Sequence, residues 1–129
     1  MEVFEKTIIV GQKDLDELNH VNNVKYVQWV QDIAEAHWLK KASKDILDTY
    51  FWVMIAHNLE YKSPSFLDDK IVVKTYVTES EGVTSTRHVE FINTTTDKLV
   101  VKSVTKWCLI DAASQKPTRI TQALKALFD

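Results

Sequence analysis

Asp14, Asp16, Asn19, His20, Asn22 and Asn23 crowd into the run Asp14-Leu15-Asp16-Glu17-Leu18-Asn19-His20-Val21-Asn22-Asn23-Val24-Lys25-Tyr26-Val27-Gln28-Trp29. A carboxylate in such a cluster can act as a general base on water or as a nucleophile. An imidazole beside it can orient the carboxylate or shuttle a proton near neutral pH. A helix beginning after the asparagines would add unpaired N–H groups and a partial positive charge, which stabilise a developing oxyanion. Together these parts make a site for acyl transfer, with Asp16 and His20 as its reacting groups. The same residue types also serve in ordinary turns and caps, so Asp16 as an Asx-turn residue and His20 as a loop brace stand beside the catalytic reading. Asn22 and Asn23 read more readily as caps and braces than as reacting groups. Asp14, Asp16 and His20 have loose spacing for metal ligands, and no metal is expected.

The cluster has to be positioned by what surrounds it. Over residues 24–42, Tyr26, Val27, Val30, Ile33, Ala34, His37 and Trp38 recur at helical spacing, with Lys25, Gln28, Gln31, Asp32 and Glu35 between them. No glycine or proline interrupts the run, and Asn22 or Asn23 suits its N-cap. Residues 3–10 read as a strand, and Ser43 as the cap of a second short helix reaching Asp48. Residues 51–61, 71–78, 85–93 and 99–110 read as strands, and 121–128 as a last short helix. Short connections between 71 and 110 favour an antiparallel meander. Along 99–110 the alternation sets Val100, Lys102, Val104, Lys106 and Cys108 against Leu99, Val101, Ser103, Thr105, Trp107 and Leu109. One long helix against one strongly twisted antiparallel sheet is an α+β, two-layer arrangement. No linker or repeat divides it, so residues 1–129 are expected to form one domain.

Composition bounds the possibilities. The chain has 129 residues with a net charge of −2, which gives a nucleic-acid or anionic-membrane partner no electrostatic support. Its 45% hydrophobic and 26% charged fractions are those of an ordinary soluble globular protein. Two glycines, Gly11 and Gly82, are too few for a P-loop or a dinucleotide fingerprint. The single cysteine, Cys108, excludes an internal disulfide, a CxxC redox pair and a thiolate zinc site. Apolar runs fall short of a membrane span and the N-terminus has no signal-peptide pattern, so a cytoplasmic location is expected. The Asn93-Thr94-Thr95 glycosylation acceptor would then be idle.

Elsewhere the candidates are thinner. Cys108 lies in an alternating strand and reads as a small core residue. His57 and His88 lie within strands, facing solvent or a satisfied partner, and His37 belongs to the apolar stripe of the helix. Asp32 and Glu60 are candidate second carboxylates. Arg87, with Lys62 or Lys102, could meet a phosphate, although isolated basic residues usually belong to a solvated surface. Trp29, Trp38, Trp52 and Trp107 are candidates for an apolar pocket or a subunit seam.

The segment Asp14-Leu15-Asp16 … His20-Val21-Asn22-Asn23-Val24-Lys25-Tyr26 … Trp29 resembles the signature of the hotdog-fold thioesterases. It is similar to the 4-hydroxybenzoyl-CoA thioesterase group, and especially to the acyl-ACP thioesterase branch with its DLDxNxHVNNVxYxxW pattern. Asn58-Leu59-Glu60-Tyr61-Lys62-Ser63-Pro64 resembles the family's strand and turn after the central helix. Asp68-Asp69-Lys70-Ile71-Val72-Val73 stands where the family has Gly-Asp before its third strand. With the strand order included, the similarity covers nearly the whole chain.

This resemblance implies a hotdog fold, in which a curled antiparallel sheet wraps the long helix. It implies hydrolysis of an acyl thioester of CoA or acyl carrier protein without a cofactor, by a homodimer or homotetramer with sites at subunit interfaces. The family's catalytic carboxylate matches Asp16, its carbonyl-binding N–H falls at Asn23, and the motif histidine matches His20. Asn19, Asn22 and Tyr26 of the same motif are expected to line the substrate. The chain departs from the acyl-ACP pattern at Leu18, where that branch has asparagine, and at Asp32, where it has glutamate. Asn19 replaces the glycine common in CoA thioesterases, and plant enzymes of the acyl-ACP branch carry two hotdog units. Two rivals follow: a hotdog hydratase or dehydratase, and a non-catalytic hotdog protein that binds acyl thioesters.

Overall fold

The computed structural model describes residues 1–129. Its elements run β1 (Phe4–Ile9), α1 (Asn23–Lys41), α2 (Lys44–Thr49), β2 (Tyr50–Tyr61), β3 (Lys70–Glu81), β4 (Thr84–Asn93), β5 (Lys98–Asp111), β6 (Lys116–Pro117) and α3 (Gln122–Ala126). The strands form one antiparallel sheet in the order β1-β3-β4-β5-β2, with β6 added alongside β5. The expected meander is β3-β4-β5. β2 crosses to the far side of β5, so β1 and β2 form opposite edges. The folded surface is 7383 Å², near the roughly 7,000 Å² that scaling with mass gives for a chain this long.

Local chemistry explains where the helices begin. The Asn22 side chain accepts the Val24 N–H at 3.0 Å and starts α1, and the Ser43 hydroxyl accepts the Ile46 N–H at 3.3 Å and starts α2. The inward face of α1 is Tyr26, Val30, Ile33, Ala34, His37 and Trp38, which is the expected stripe with Val27 half-buried at its margin. Its first half packs on Ile71, Val89 and Phe91 of the sheet. Its second half packs through Trp38 on Leu109, Ile120, Leu124 and Phe128, so α3 closes the far end of the layer. Each large apolar side chain buried here contributes on the order of 1.5–3 kcal/mol. None of the helices is long and apolar enough to cross a membrane.

Simple alternation along β5 fails at one point. Phe91 faces Val101 and Ile92 faces Leu99, so Val100 is an inserted residue and both valines are buried. Such a bulge reverses the phase of the side chains at this point, which is why Val100 and Val101 are inside together. The Val100 carbonyl is turned to accept the N–H groups of Lys62 and Ser63 at 2.8 and 3.3 Å. A second bulge at Ile55 lies between the Met54–Trp107 and Ala56–Lys106 pairs of β2 and β5.

The layer facing α1 also carries more polarity than the pattern suggests. Thr75, Ser85, Arg87, Ser103 and Thr105 are all buried there. Arg87, one of the residues that could have met a phosphate, is instead 6% exposed beneath the helix. The strict alternation of β4 sends it inward with Ser85, Val89, Phe91 and Asn93. Cys108 is a buried thiol, as its strand position implied.

Candidate active site

Asp14 to Asn22 form a small hairpin ahead of α1. Leu15 and Val21 pair across it, and the Asn22 N–H donates to the Asp14 carbonyl at 2.9 Å. Within the turn, the Asp16 N–H donates to the His20 carbonyl at 2.8 Å and the Asn19 N–H to the Asp16 carbonyl at 3.0 Å. Asp16 Oδ1 accepts two further backbone bonds, from Leu18 at 2.9 Å and His20 at 3.1 Å. Asn19 adopts φ 62°, a left-handed conformation that asparagine tolerates better than most residues. One oxygen of Asp16 therefore holds the turn. Its second oxygen makes no hydrogen bond, and the side chain is half-buried.

Asp14 has the opposite character. It is 5% exposed, with Oδ2 accepting the Gly11 N–H at 2.9 Å and Oδ1 paired to Lys25 Nζ at 3.2 Å. Both oxygens are committed, so Asp14 ties the hairpin to α1 and leaves Asp16 as the carboxylate with a free oxygen. A lysine eleven residues after an acid is a weak signal, and sequence reasoning gave Asp14 no bracing role.

The segment between β2 and β3 supports the hairpin from below. Val21 donates to the Ser65 carbonyl at 2.9 Å, and Val10 and Asp68–Asp69 exchange backbone bonds at 2.9 and 3.0 Å. The buried Asn93 amide donates to Asp69 Oδ2 at 2.8 Å and to Ser65 Oγ at 3.3 Å. The His20 ring packs edge-on against Phe66 with centroids 5.1 Å apart. His20 thus meets Asp16 through its backbone, while its imidazole makes no hydrogen bond to that carboxylate.

At the start of α1, Val24 N–H bonds the Asn22 side chain and Lys25 N–H the Asn22 carbonyl. The Asn23 N–H makes no hydrogen bond and Asn23 is exposed. It is the donor a helix start offers to an incoming oxygen. Tyr61 Oη, at the end of β2, reaches over to the Asn23 carbonyl at 3.4 Å. Asn22 acts as the cap.

Tyr26 does not line an open surface as expected. Its position one turn along the inward stripe leaves it 2% exposed, edge-on to Trp29, Tyr61 and Phe91. Its buried hydroxyl makes no hydrogen bond, and burial raises its pKa above the ordinary phenol range, with Ser65 and Asp69 nearby.

The other candidates are not drawn to Asp16. Asp32 is exposed and accepts from Gln28 at 2.8 Å, and Glu60 pairs with Lys62 at 3.4 Å. His57 bonds Ser103 and His88 bonds Thr78. No three His, Cys, Asp or Glu side chains converge to hold a metal ion.

A curled antiparallel sheet packed on one long helix, with an acidic turn leading into that helix, is the hotdog architecture of thioesterases. The family model of the Thioesterase-like superfamily matches residues 10–128, and the chain belongs to that superfamily. Among solved structures it is similar to Slr0204, a 1,4-dihydroxy-2-naphthoyl-CoA thioesterase from Synechocystis, at 14% identity over 98% of this chain and 96% of that one, with TM-score 0.83. It is similar to the probable thioesterase YbaW from Escherichia coli at 20% identity over 95% and 94%, with TM-score 0.81. It also resembles SAV2348 from Staphylococcus aureus, a structure in complex with CoA, at 14% identity over 98% and 81%, with TM-score 0.85. None of the curated proteins matches the sequence.

Proposed function

We propose that this chain hydrolyses an acyl thioester to a free acid and a thiol, with Asp16 as the reacting carboxylate. One observation carries the reading: Asp16 is fixed through Oδ1 by two backbone N–H groups while its other oxygen is free, in the turn that leads to the unbonded Asn23 N–H. A carboxylate oriented without using its second oxygen is positioned to act as a base or nucleophile. The thioester carbonyl oxygen sits on the Asn23 N–H, where the helix start stabilises the negative charge that develops on it. Asp16 takes a proton from water as the water adds to the carbonyl carbon. The tetrahedral intermediate then collapses, the C–S bond breaks, and the leaving thiolate takes up the proton. In the covalent variant Asp16 attacks the carbon itself, the C–S bond breaks and the thiolate leaves, and water then hydrolyses the mixed anhydride to the free acid and the Asp16 carboxylate.

His20 supports this chemistry from the same turn by relaying the proton, Asn19 and Asn22 border the thioester, and Tyr26 braces the turn from beneath. The working unit is an oligomer joined through β2. That edge strand exposes Phe51, Val53 and Ile55, and long apolar edges tend to pair with a second chain. CoA, the ligand bound to the Staphylococcus aureus protein, is the carrier to try first.

The test is thiol release from short, medium, long and aromatic acyl-CoAs, with Asp16→Asn alongside the wild type. Hydrolysis that falls about 100-fold or more in the variant supports the assignment. Persistent activity in the variant removes Asp16 from the role. No release from any acyl-CoA or acyl carrier protein thioester, with binding retained, leaves the non-catalytic binding protein as the reading.

A further inference from the structure

A cavity of about 320 Å³ opens beneath the second half of α1. Trp38, Trp52, Trp107, Phe51 and Phe128 form its walls, and Arg87 lines it. Gln31, the lining residue nearest the helix start, is eight positions beyond Asn23. At 1.5 Å per residue the cavity begins about 12 Å along the axis from the Asn23 N–H, and none of the Asp16 turn contributes to it.

Arg87 is the unusual feature. Its guanidinium spends only Nη1 on the protein, donating to His37 Nδ1 at 2.9 Å and Thr75 Oγ1 at 3.0 Å. Nε and Nη2 make no hydrogen bond, yet neither is sealed from solvent-sized space. The Phe128 ring lies under the cation at 5.2 Å. No carboxylate pairs with Arg87. Glu2 lies beyond His37, which donates from Nε2 to Glu2 Oε1 at 2.8 Å, and the other Glu2 oxygen is paired with Lys41 at 2.8 Å. Because arginine only donates, His37 Nδ1 must be unprotonated and the ring neutral. The cluster Arg87, His37, Glu2 and Lys41 thus holds two positive charges against one negative. Glu35 and Gln31 stand exposed at the cavity, and the Glu35 carboxylate forms no ion pair with Arg87. A buried charge without a partner is costly, so natural interiors pair such groups.

We infer that this cavity is a binding site for a carboxylate on a compact apolar body, with the carboxylate on the free edge of Arg87 and the body against the tryptophans. Guanidinium and carboxylate match as a two-pronged pair, and the pair gains strength away from water. At roughly 30 Å³ per water-sized unit the space takes about ten non-hydrogen atoms, the size of benzoate or octanoate. Free acids and acyl groups bearing a remote carboxylate share this chemistry. The site stands apart from the thioester reading, because binding here needs no turnover and no Asp16.

Trp38, Trp52 and Trp107 report on the cavity directly. Quenching of their fluorescence, confirmed by calorimetry, is measured for octanoate and benzoate against octanamide and benzamide on the wild-type chain. The acids are expected to bind at least about tenfold more tightly than their neutral amides. A folded Arg87→Met variant should lose that preference, and Arg87→Lys should retain part of it. Should Arg87→Met fail to fold, the acid–amide comparison on the wild type still decides. A parallel arm compares ω-carboxyoctanoyl-CoA with octanoyl-CoA on the Asp16→Asn variant. A preference for the ω-carboxyl compound identifies an acyl group as the source, and a preference confined to the free acids identifies those. Equal binding of acids and amides, or no binding of either kind of carboxylate, overturns the inference.

Discussion

Asp16 is bound twice to the His20 backbone: the Asp16 N–H donates to the His20 carbonyl at 2.8 Å, and the His20 N–H donates to Asp16 Oδ1 at 3.1 Å. The carboxylate is therefore both a turn-former and a group with an oxygen to spare, and the two roles can be separated by substitution. Asp16→Asn keeps an oxygen for the turn and removes the base. It should lower hydrolysis about 100-fold or more with a melting temperature close to wild type. Asp16→Ala removes the acceptor as well and should cost about 1 kcal/mol of stability in addition. Matching thermal unfolding for the two variants would show that Oδ1 does not hold the turn.

The bonds from His20 to Asp16 are made by its backbone, so they survive removal of the imidazole. His20→Ala should keep the turn and lose only the packing on Phe66 and any proton relay. Steady-state kinetics should give a decrease below about tenfold, well short of that for Asp16→Asn. A loss as large as that of Asp16→Asn would make the imidazole a principal reacting group.

Burial pulls the His37 pKa below the ordinary histidine value, with the Glu2 hydrogen bond opposing it. The folded chain thus keeps His37 neutral while the unfolded chain protonates it near pH 6.5. Its contribution is complete above that pH, is lost as pH falls through it, and levels off below the lowered folded value. His57, also lowered by burial, adds the same sign. Glu2, lowered by Lys41 and then by His37, extends the loss below pH 4.5. Melting temperature should drop between pH 7 and 5. His37→Gln, which can still accept from Arg87 and donate to Glu2, should flatten that slope. Parallel curves for wild type and variant would exclude His37 as a cause.

Phe128 closes the second core cluster, 4.8 Å from the His37 ring and 6.3 Å from Trp38 between centroids. Phe128→Ala should cost about 3–5 kcal/mol, the range for a buried phenylalanine. Urea unfolding checks this. A change below 1 kcal/mol would mean that the C-terminal segment is not part of the cooperative unit.

Val53 and Ile55 stand exposed on the β2 edge. A Val53→Lys/Ile55→Lys double variant should sediment as a 14.9 kDa monomer where the wild type sediments as a dimer or tetramer. A wild type that is monomeric at high micromolar concentration would remove the oligomer from the proposal.

Strong periodicity made much of this protein readable before folding. The α1 stripe from Tyr26 to Trp38 needed only a period of 3.6 and a capping asparagine, both local properties. The turn from Asp14 to Asn23 was legible as a motif, because short polar side chains act on backbone groups a few residues away. The roles within it were not. Which of Asp14 and Asp16 keeps a free oxygen depends on Lys25 reaching back from the helix. The inward placement of Tyr26 follows from the stripe itself, although the motif pointed to the substrate.

The sequence by itself determined the element types, the antiparallel meander and the place of the acidic turn at a helix start, since each depends on spacing within a few residues. Tertiary structure alone decided that β2 joins the sheet beside β5, that bulges at Ile55 and Val100 reset which side chains are buried, and that Arg87 lies under α1 beside His37. Those outcomes turn on pairing register and on contacts between residues fifty or more positions apart, such as His37 with Arg87 and Tyr50 with Asp111. A one-residue shift in register inverts a whole strand's inner and outer faces, and no local pattern carries that information.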